Sequence, residues 1–239
     1  MKSILLLFSF TLVIIYSINA QKNSKTYIIN PGETFLSVVP MSEIYQYPKF
    51  ESGNVVFKDG HIGTAMLNYN RFLQEVIYVN KPGDTLAIAS PEDVKVLYIK
   101  SDEFYFQSDR FIKLDTSIGI AKIATAKFFS QIREKEVGQY GKKEQASLSN
   151  EAYILPGTTA QIGQRLNSSP VETVTLIPRT VMYISDNSNQ FQYINKKTLN
   201  NIFKKQEKAL KDYLADKKLS FELREDIIAL LEFMKNAGN

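Results

Sequence analysis

Apolar and polar residues along this chain follow two rhythms, and the change from one to the other divides it. From Val55 to Leu114 the apolar runs are short and are broken by turn chemistry every few residues. Val55-Val56-Phe57 leads into Lys58-Asp59-Gly60, a hairpin signal because Asp and Gly accept the backbone angles of a tight turn. Ile62 to Tyr69 follows, then a polar corner at Asn70-Arg71. Leu73 to Val79 is strand-like, since Val76, Ile77, Tyr78 and Val79 all favour a pleated backbone. In Asn80-Lys81-Pro82-Gly83-Asp84, Pro fixes one backbone angle and Gly permits a positive one, which predicts a turn. Thr85 to Ala89, Val94 to Lys100, Glu103 to Gln107 and Arg110 to Leu114 continue the series, with a break at Ser90-Pro91-Glu92-Asp93. Short strands at regular spacing, with no helix between them, predict an antiparallel meander.

Beyond Leu114 the pattern loosens. Ile118 to Ala126 reads as a strand, and from there to Lys135 neither period fits. Val137 to Glu151 and Pro156 to Pro170 are polar or Gly- and Ser-bearing and read as loops. Ala152 to Leu155, Val174 to Ile177, Val181 to Ile184 and Phe191 to Ile194 supply further strands. The rhythm then changes to the helical one. Leu199, Ile202, Phe203, Leu210, Tyr213 and Leu214 fall on one stripe, and a second helix restarting at Ser220 carries Leu223, Ile227, Leu230, Leu231 and Met234. The expected fold is therefore α+β. A mostly antiparallel sheet, meandering or rolled into a partial barrel, occupies residues 21–195, and a C-terminal helical hairpin at 196–239 packs on it. An outer-membrane barrel is set aside, because its strands need about nine to eleven residues with an apolar outer band.

The first twenty residues stand apart. Met1-Lys2-Ser3 is a positive start, Ile4 to Ile18 is an almost unbroken apolar run, and Asn19-Ala20-Gln21 closes it with a small residue before polar sequence. This is the secretory signal pattern, with the cut expected after Ala20. The competing reading, a retained anchor, needs about 20 apolar residues to span a bilayer. Cleavage would leave 219 residues, enough for a substantial core. With no cysteine at the new N-terminus, a lipid anchor on that residue is excluded.

Composition narrows the chemistry. The chain has 29 basic and 25 acidic residues, and loss of Lys2 leaves an excess of three, too weak and too dispersed for a nucleic-acid footprint. Absence of cysteine removes disulfides, thiolate metal sites and thiol nucleophiles, so the core rests on apolar packing, to which the chain's 15 Phe and 13 Tyr contribute less the three in the leader. The single histidine, His61, directly follows the Asp59-Gly60 turn and reads as an exposed hairpin residue. No Gly-x-Ser-x-Gly elbow, His-Glu-x-x-His segment or Gly-rich phosphate loop occurs. No cofactor and no metal site is expected. Glu92-Asp93, Asp102-Glu103 and Glu225-Asp226 are acidic pairs, but neighbours on a strand point to opposite faces, and acids suit a helix's first turn.

The most distinctive patch is Asn68-Tyr69-Asn70. As a site it would be a polar recognition surface at a strand end, with Asp84 nearby in kind; as structure, the Asn side chains would bond turn backbone while Tyr69 packs. Lys196, Lys197, Lys204, Lys205, Lys208, Lys211, Lys217 and Lys218 crowd the first tail helix, diluted by Glu207, Asp212 and Asp216, and read as a solvated face.

Tyr47-Pro48-Lys49-Phe50, Gly53, Phe57-Lys58-Asp59-Gly60, Leu67-Asn68-Tyr69-Asn70 and Gly83-Asp84-Thr85-Leu86-Ala87 together resemble a group of exported Bacteroidota proteins without an established activity. Tyr140-Gly141 and Asn195-Lys196-Lys197 fit the same pattern. The resemblance implies export and an envelope location and no mechanism. The leading expectation is a non-catalytic interaction or adaptor module in the envelope, with another envelope protein as partner and no membrane span after cleavage. A carrier for a lipid or other apolar ligand, covered by the Val137–Ser169 loops, is the second, and a hydrolase built on two carboxylates the third.

Overall fold

A computed structural model describes residues 25–80, 84–136, 143–148 and 166–238. The described chain forms a twelve-stranded, wholly antiparallel sheet with helices gathered at its C-terminal end, an α+β architecture as expected. Ten strands follow one path, in the order β1 (Tyr27–Ile29), β11 (Val174–Ser185), β9 (Ala121–Glu136), β8 (Arg110–Ile118), β7 (Asp102–Gln107), β6 (Val94–Ile99), β2 (Glu51–Phe57), β3 (Ile62–Asn70), β4 (Glu75–Val79) and β5 (Thr85–Ala87), while β10 (Lys143–Leu148) joins β9 and β12 (Gln192–Tyr193) joins β11 from the side.

The meander holds the middle of that order. β2 (Glu51–Phe57) and β3 (Ile62–Asn70) form the hairpin announced by Asp59-Gly60, where Gly60 has φ +90°. β4 (Glu75–Val79) and β5 (Thr85–Ala87) extend the sheet to one edge. β4 starts two residues later than the β-propensity of Leu73 and its neighbours suggests. Residues 71–74 are a turn, with Gln74 at φ +58° reversing the chain. β6 (Val94–Ile99), β7 (Asp102–Gln107) and β8 (Arg110–Ile118) are joined by two-residue turns at Lys100-Ser101 and Ser108-Asp109. At the centre, Gly53 must be glycine. A Cβ there would collide with the Tyr98 carbonyl oxygen and lie 2.6 Å from Leu67 Cδ1.

β9 corrects the sequence reading most. Ile118 ends β8, Gly119-Ile120 turns the chain at φ +59°, and β9 runs unbroken over Ala121–Glu136. The stretch after Ala126 is thus strand. No period of two is visible because β9 is covered on both faces. Ala124, Thr125 and Ala126 are all buried, and Phe128 and Phe129, on opposite faces, enter different apolar clusters. β9 also changes partner along its length, pairing β8 through Ala121–Thr125 and β10 (Lys143–Leu148) through Gln131–Glu136, with β11 along its other edge. The expected loop at 137–151 therefore contains a strand; its remaining residues, the strand expected at 152–155 and most of the 156–170 loop lie outside the described residues. Leu166 is fully packed, 1% exposed.

β11 is one strand, Val174–Ser185, where the sequence suggests two. Pro178 falls between the stretches that pair β1 (Tyr27–Ile29) and β12 (Gln192–Tyr193), so it sits where one edge of β11 has no described partner. A residue without an N–H is tolerated at such an edge. Two short helices that the sequence reading did not anticipate, α1 (Phe35–Val38) and α2 (Met41–Ile44), pack Phe35 and Ile44 with Ile29, Phe72 and Leu176. Thr34 and Ser37 close α1 with a capping box.

The tail is three α-helices rather than two. α3 (Lys196–Ile202) is capped by Asn195, whose side chain accepts the Thr198 N–H. Phe203, buried and out of helical geometry, ends it, a short 3-10 turn follows, and α4 (Glu207–Asp216) and α5 (Arg224–Ala237) complete the group. Ser220 precedes α5 instead of opening it: its N–H donates to Asp226 Oδ2 at 2.9 Å. Leu199, Leu210, Ile227, Leu230, Leu231 and Met234 share one buried cluster with Ile118, Ala121, Ile123 and Ile184 of the sheet. The helices are therefore fixed to one end of β8, β9 and β11. Among the described residues no helix is long and apolar enough to cross a membrane.

Candidate functional site

Asn68, Tyr69 and Asn70 are buried, with exposures of 2%, 3% and 0%, so they form no recognition surface. Each asparagine fastens backbone. Asn68 Oδ1 accepts the Tyr47 N–H at 3.1 Å while its Nδ2 donates to the Tyr47 and Lys49 carbonyls. Asn70 Oδ1 accepts both the Phe72 and the Leu73 N–H, at 3.0 and 2.9 Å. Tyr69 packs against Phe104, ring centroids 6.0 Å apart, and burial pushes its hydroxyl pKa up despite Arg110 and Arg71 nearby. Asp84 lies apart and exposed, its N–H bonded to Asn80 Oδ1 in the turn. The four residues do not converge on a site.

The acidic pairs are placed structurally. Glu92 and Asp93 are exposed ahead of β6. Asp102 receives the Tyr47 hydroxyl at 2.6 Å and Lys113 Nζ at 3.1 Å; burial alone would raise its pKa, but these donors hold it below the usual carboxylate range. Glu103 instead receives the Tyr105 hydroxyl, and Asp226 the Ser220 N–H. His61 is exposed, its ring 5.9 Å from that of Phe57. No group of three His, Cys, Asp or Glu able to hold a metal lies among the described residues. All eight tail lysines are exposed, and Lys211 pairs with Glu207 at 2.6 Å one turn away.

One charge is buried that sequence reasoning did not single out. The Arg110 side chain is only 4% exposed, lies 4.4 Å over the Phe128 ring, and forks onto Asp109 through Nε–Oδ1 at 2.8 Å and Nη2–Oδ2 at 2.7 Å. Those hydrogen bonds hold the Asp109 carboxyl below its ordinary range. A carboxylate with a depressed pKa adds stability above its unfolded pKa of about 3.9 and loses it as pH falls through the folded value. Removing one partner of a fully buried pair costs about 3–5 kcal/mol, and because the Asp109 side chain is 59% exposed the expected loss for Asp109→Asn is nearer 1–2 kcal/mol at pH 7. Urea titrations of parent and variant should show that gap closing between pH 5 and pH 2. A gap that stays constant would mean the pair is not held by charge.

One surface that presents apolar residues to solvent is the outer face of β2, β3 and β6. Alternation along β2 buries Gly53 and Val55 inward and sends Ser52, Asn54 and Val56 outward. The register lines them up across strands: Val96 beside Val56 beside Ile62, then Tyr98 beside Asn54 beside Thr64, then Ser52 beside Met66. Thr64 Oγ1 donates to Asn54 Oδ1 at 3.0 Å. Ile62 is 61% and Met66 46% exposed. A different opening, of about 200 Å³, lies between Phe35, Phe72, Leu73, Val174 and the Arg133–Glu172 ion pair. Pockets for drug-sized ligands run to about 300–1,000 Å³, and this opening is smaller.

Comparison with protein-family models, curated proteins and solved structures finds no match for this chain.

Proposed function

We propose that the chain is an exported envelope protein that works by holding a protein partner against the outer face of β2, β3 and β6. The observation that carries this reading is the exposed pair Ile62 and Met66 on β3, continued across the strands by half-buried Val56 and Val96, of which Val96 also packs on the core beside Tyr105. Single exposed apolar residues are ordinary, whereas two on one strand backed by half-buried valines on its neighbours make the kind of surface a partner covers. Its interleaved Asn54, Thr64 and Tyr98 supply hydrogen-bonding groups without charge, which suits a protein surface better than an anionic membrane. The rigid ladder beneath presents the row at little entropic cost. The leader-like segment at residues 1–20 supports export.

The test is recovery of tagged protein from its own cell envelope, followed by native mass spectrometry. The expected result is a mature chain beginning at Gln21 with a stoichiometric protein bound. Ile62→Asp with Met66→Asp should weaken capture at least tenfold, or about 1.4 kcal/mol, with the melting temperature little changed, because both side chains face solvent. Recovery of a small molecule without protein, or capture that ignores the double variant, would overturn the reading.

A further inference from the structure

At the far end of the sheet a second cavity has a quite different lining. It measures about 130 Å³ and lies where β11 ends, between the 186–190 loop, β12 and α3. Ser185, Asp186, Ser188, Gln190, Gln192 and Asn201 supply its polar wall, with Thr198 at one end. Ile184 and Ile202 are its apolar members. Ser185 is 1% exposed and its Oγ, buried, makes no hydrogen bond to any described residue. A buried hydroxyl without a partner costs about 1–3 kcal/mol, and Ser185 is one of the residues that line this cavity, so a ligand that supplies the missing hydrogen bond is rewarded here.

The lining chooses the ligand's chemistry. Three carboxamides and two serine hydroxyls each both donate and accept, and one carboxylate accepts. Asp186 Oδ1 already takes the Ser188 N–H at 2.8 Å, and its bonds to Ser188 lower its pKa, so it is ionised at neutral pH. Among the described residues no lysine or arginine lines the cavity, and the nearby Lys122 is bound to Asn189 Oδ1 at 2.7 Å. An anion would meet a carboxylate and no cation. A lipid would strand the polar wall. A hydroxyl-rich neutral molecule, whose every oxygen both donates and accepts, matches a wall that offers donors and acceptors side by side. The volume, about four waters at ~30 Å³ each, takes a triol whole or one edge of a sugar ring with the rest in solvent, not a longer chain. We propose that this cavity is a binding site for a small uncharged polyol, a single sugar ring being the natural occupant.

The proposal is independent of the partner surface, which lies on other strands. It is tested by NMR titration of the mature protein with D-glucose, D-galactose, D-mannose and N-acetyl-D-glucosamine. Side-chain amide signals of Gln190, Gln192 and Asn201 should shift saturably with at least one sugar. Gln190→Ala and Asn201→Ala, both at exposed positions, should keep the parent's melting temperature and weaken that sugar at least tenfold. Ser185→Ala should melt no lower than the parent and bind less well. Saturable shifts with calcium or inorganic phosphate in place of sugar, or no shift with any of the four, would overturn it.

Discussion

Asn70→Ala should unfold in urea with about 2–4 kcal/mol less stability than the parent. The side chain is fully buried, and its single Oδ1 satisfies two backbone N–H groups, those of Phe72 and Leu73. Alanine leaves both donors without a partner in a place water does not reach, at about 1–3 kcal/mol each. The damage should spread. Phe72 packs tilted against Phe35 with ring centroids 4.4 Å apart and reaches Phe129 at 6.4 Å, so loosening the turn uncouples α1 from β9. A loss below about 1 kcal/mol would show that the turn holds without its asparagine.

The second large effect is at the tail. Leu230→Ala removes a side chain with no exposure from the cluster joining α3, α4 and α5 to β8, β9 and β11. Large-to-small changes at such sites cost about 2–5 kcal/mol, the spread reflecting how far the site collapses. Because Ile123 and Ile184 share that cluster, hydrogen exchange should quicken at their strands together with α5. Quickening confined to α5 would mean that the helices are an appendage with a core of their own.

How far these features could be foreseen depends on the residue. The α+β class was legible because period-two runs with Pro, Gly and Asp turns give way once to a helical period. The Asp59-Gly60 hairpin was legible for the same local reason. β9 was not: burial on both faces erases alternation, and Phe128 beside Phe129 looks like neither period. Gly119-Ile120 lacks the Asn or Asp that usually marks a two-residue turn, whereas the turns at 100–101 and 108–109 fall where the apolar runs part, as the sequence suggests. Asn68 and Asn70 stood out in the sequence, and turn chemistry gave them a structural role; their full burial depends on the segment after α2 folding over β3, a contact between distant residues. Arg110 carries no local signal at all. Its burial comes from Phe128, reached only after the chain has turned back on itself. The polar cavity is equally non-local, since Ser185 and Asn201 come from elements that meet only when α3 docks.

The seam between β1 and β11 has a kinetic meaning. Ile28 stands opposite Thr175, 147 positions later, whereas the hairpins from β6 to β9 join residues a few positions apart. Closing so long a loop is entropically expensive before any contact repays it. The central ladders therefore assemble early. The first strand waits for the last third of the chain, and while it waits the edge of β11 around Val174 stays unpaired. That interval, more than any weakness of the finished sheet, is when this chain is open to pairing with the wrong strand.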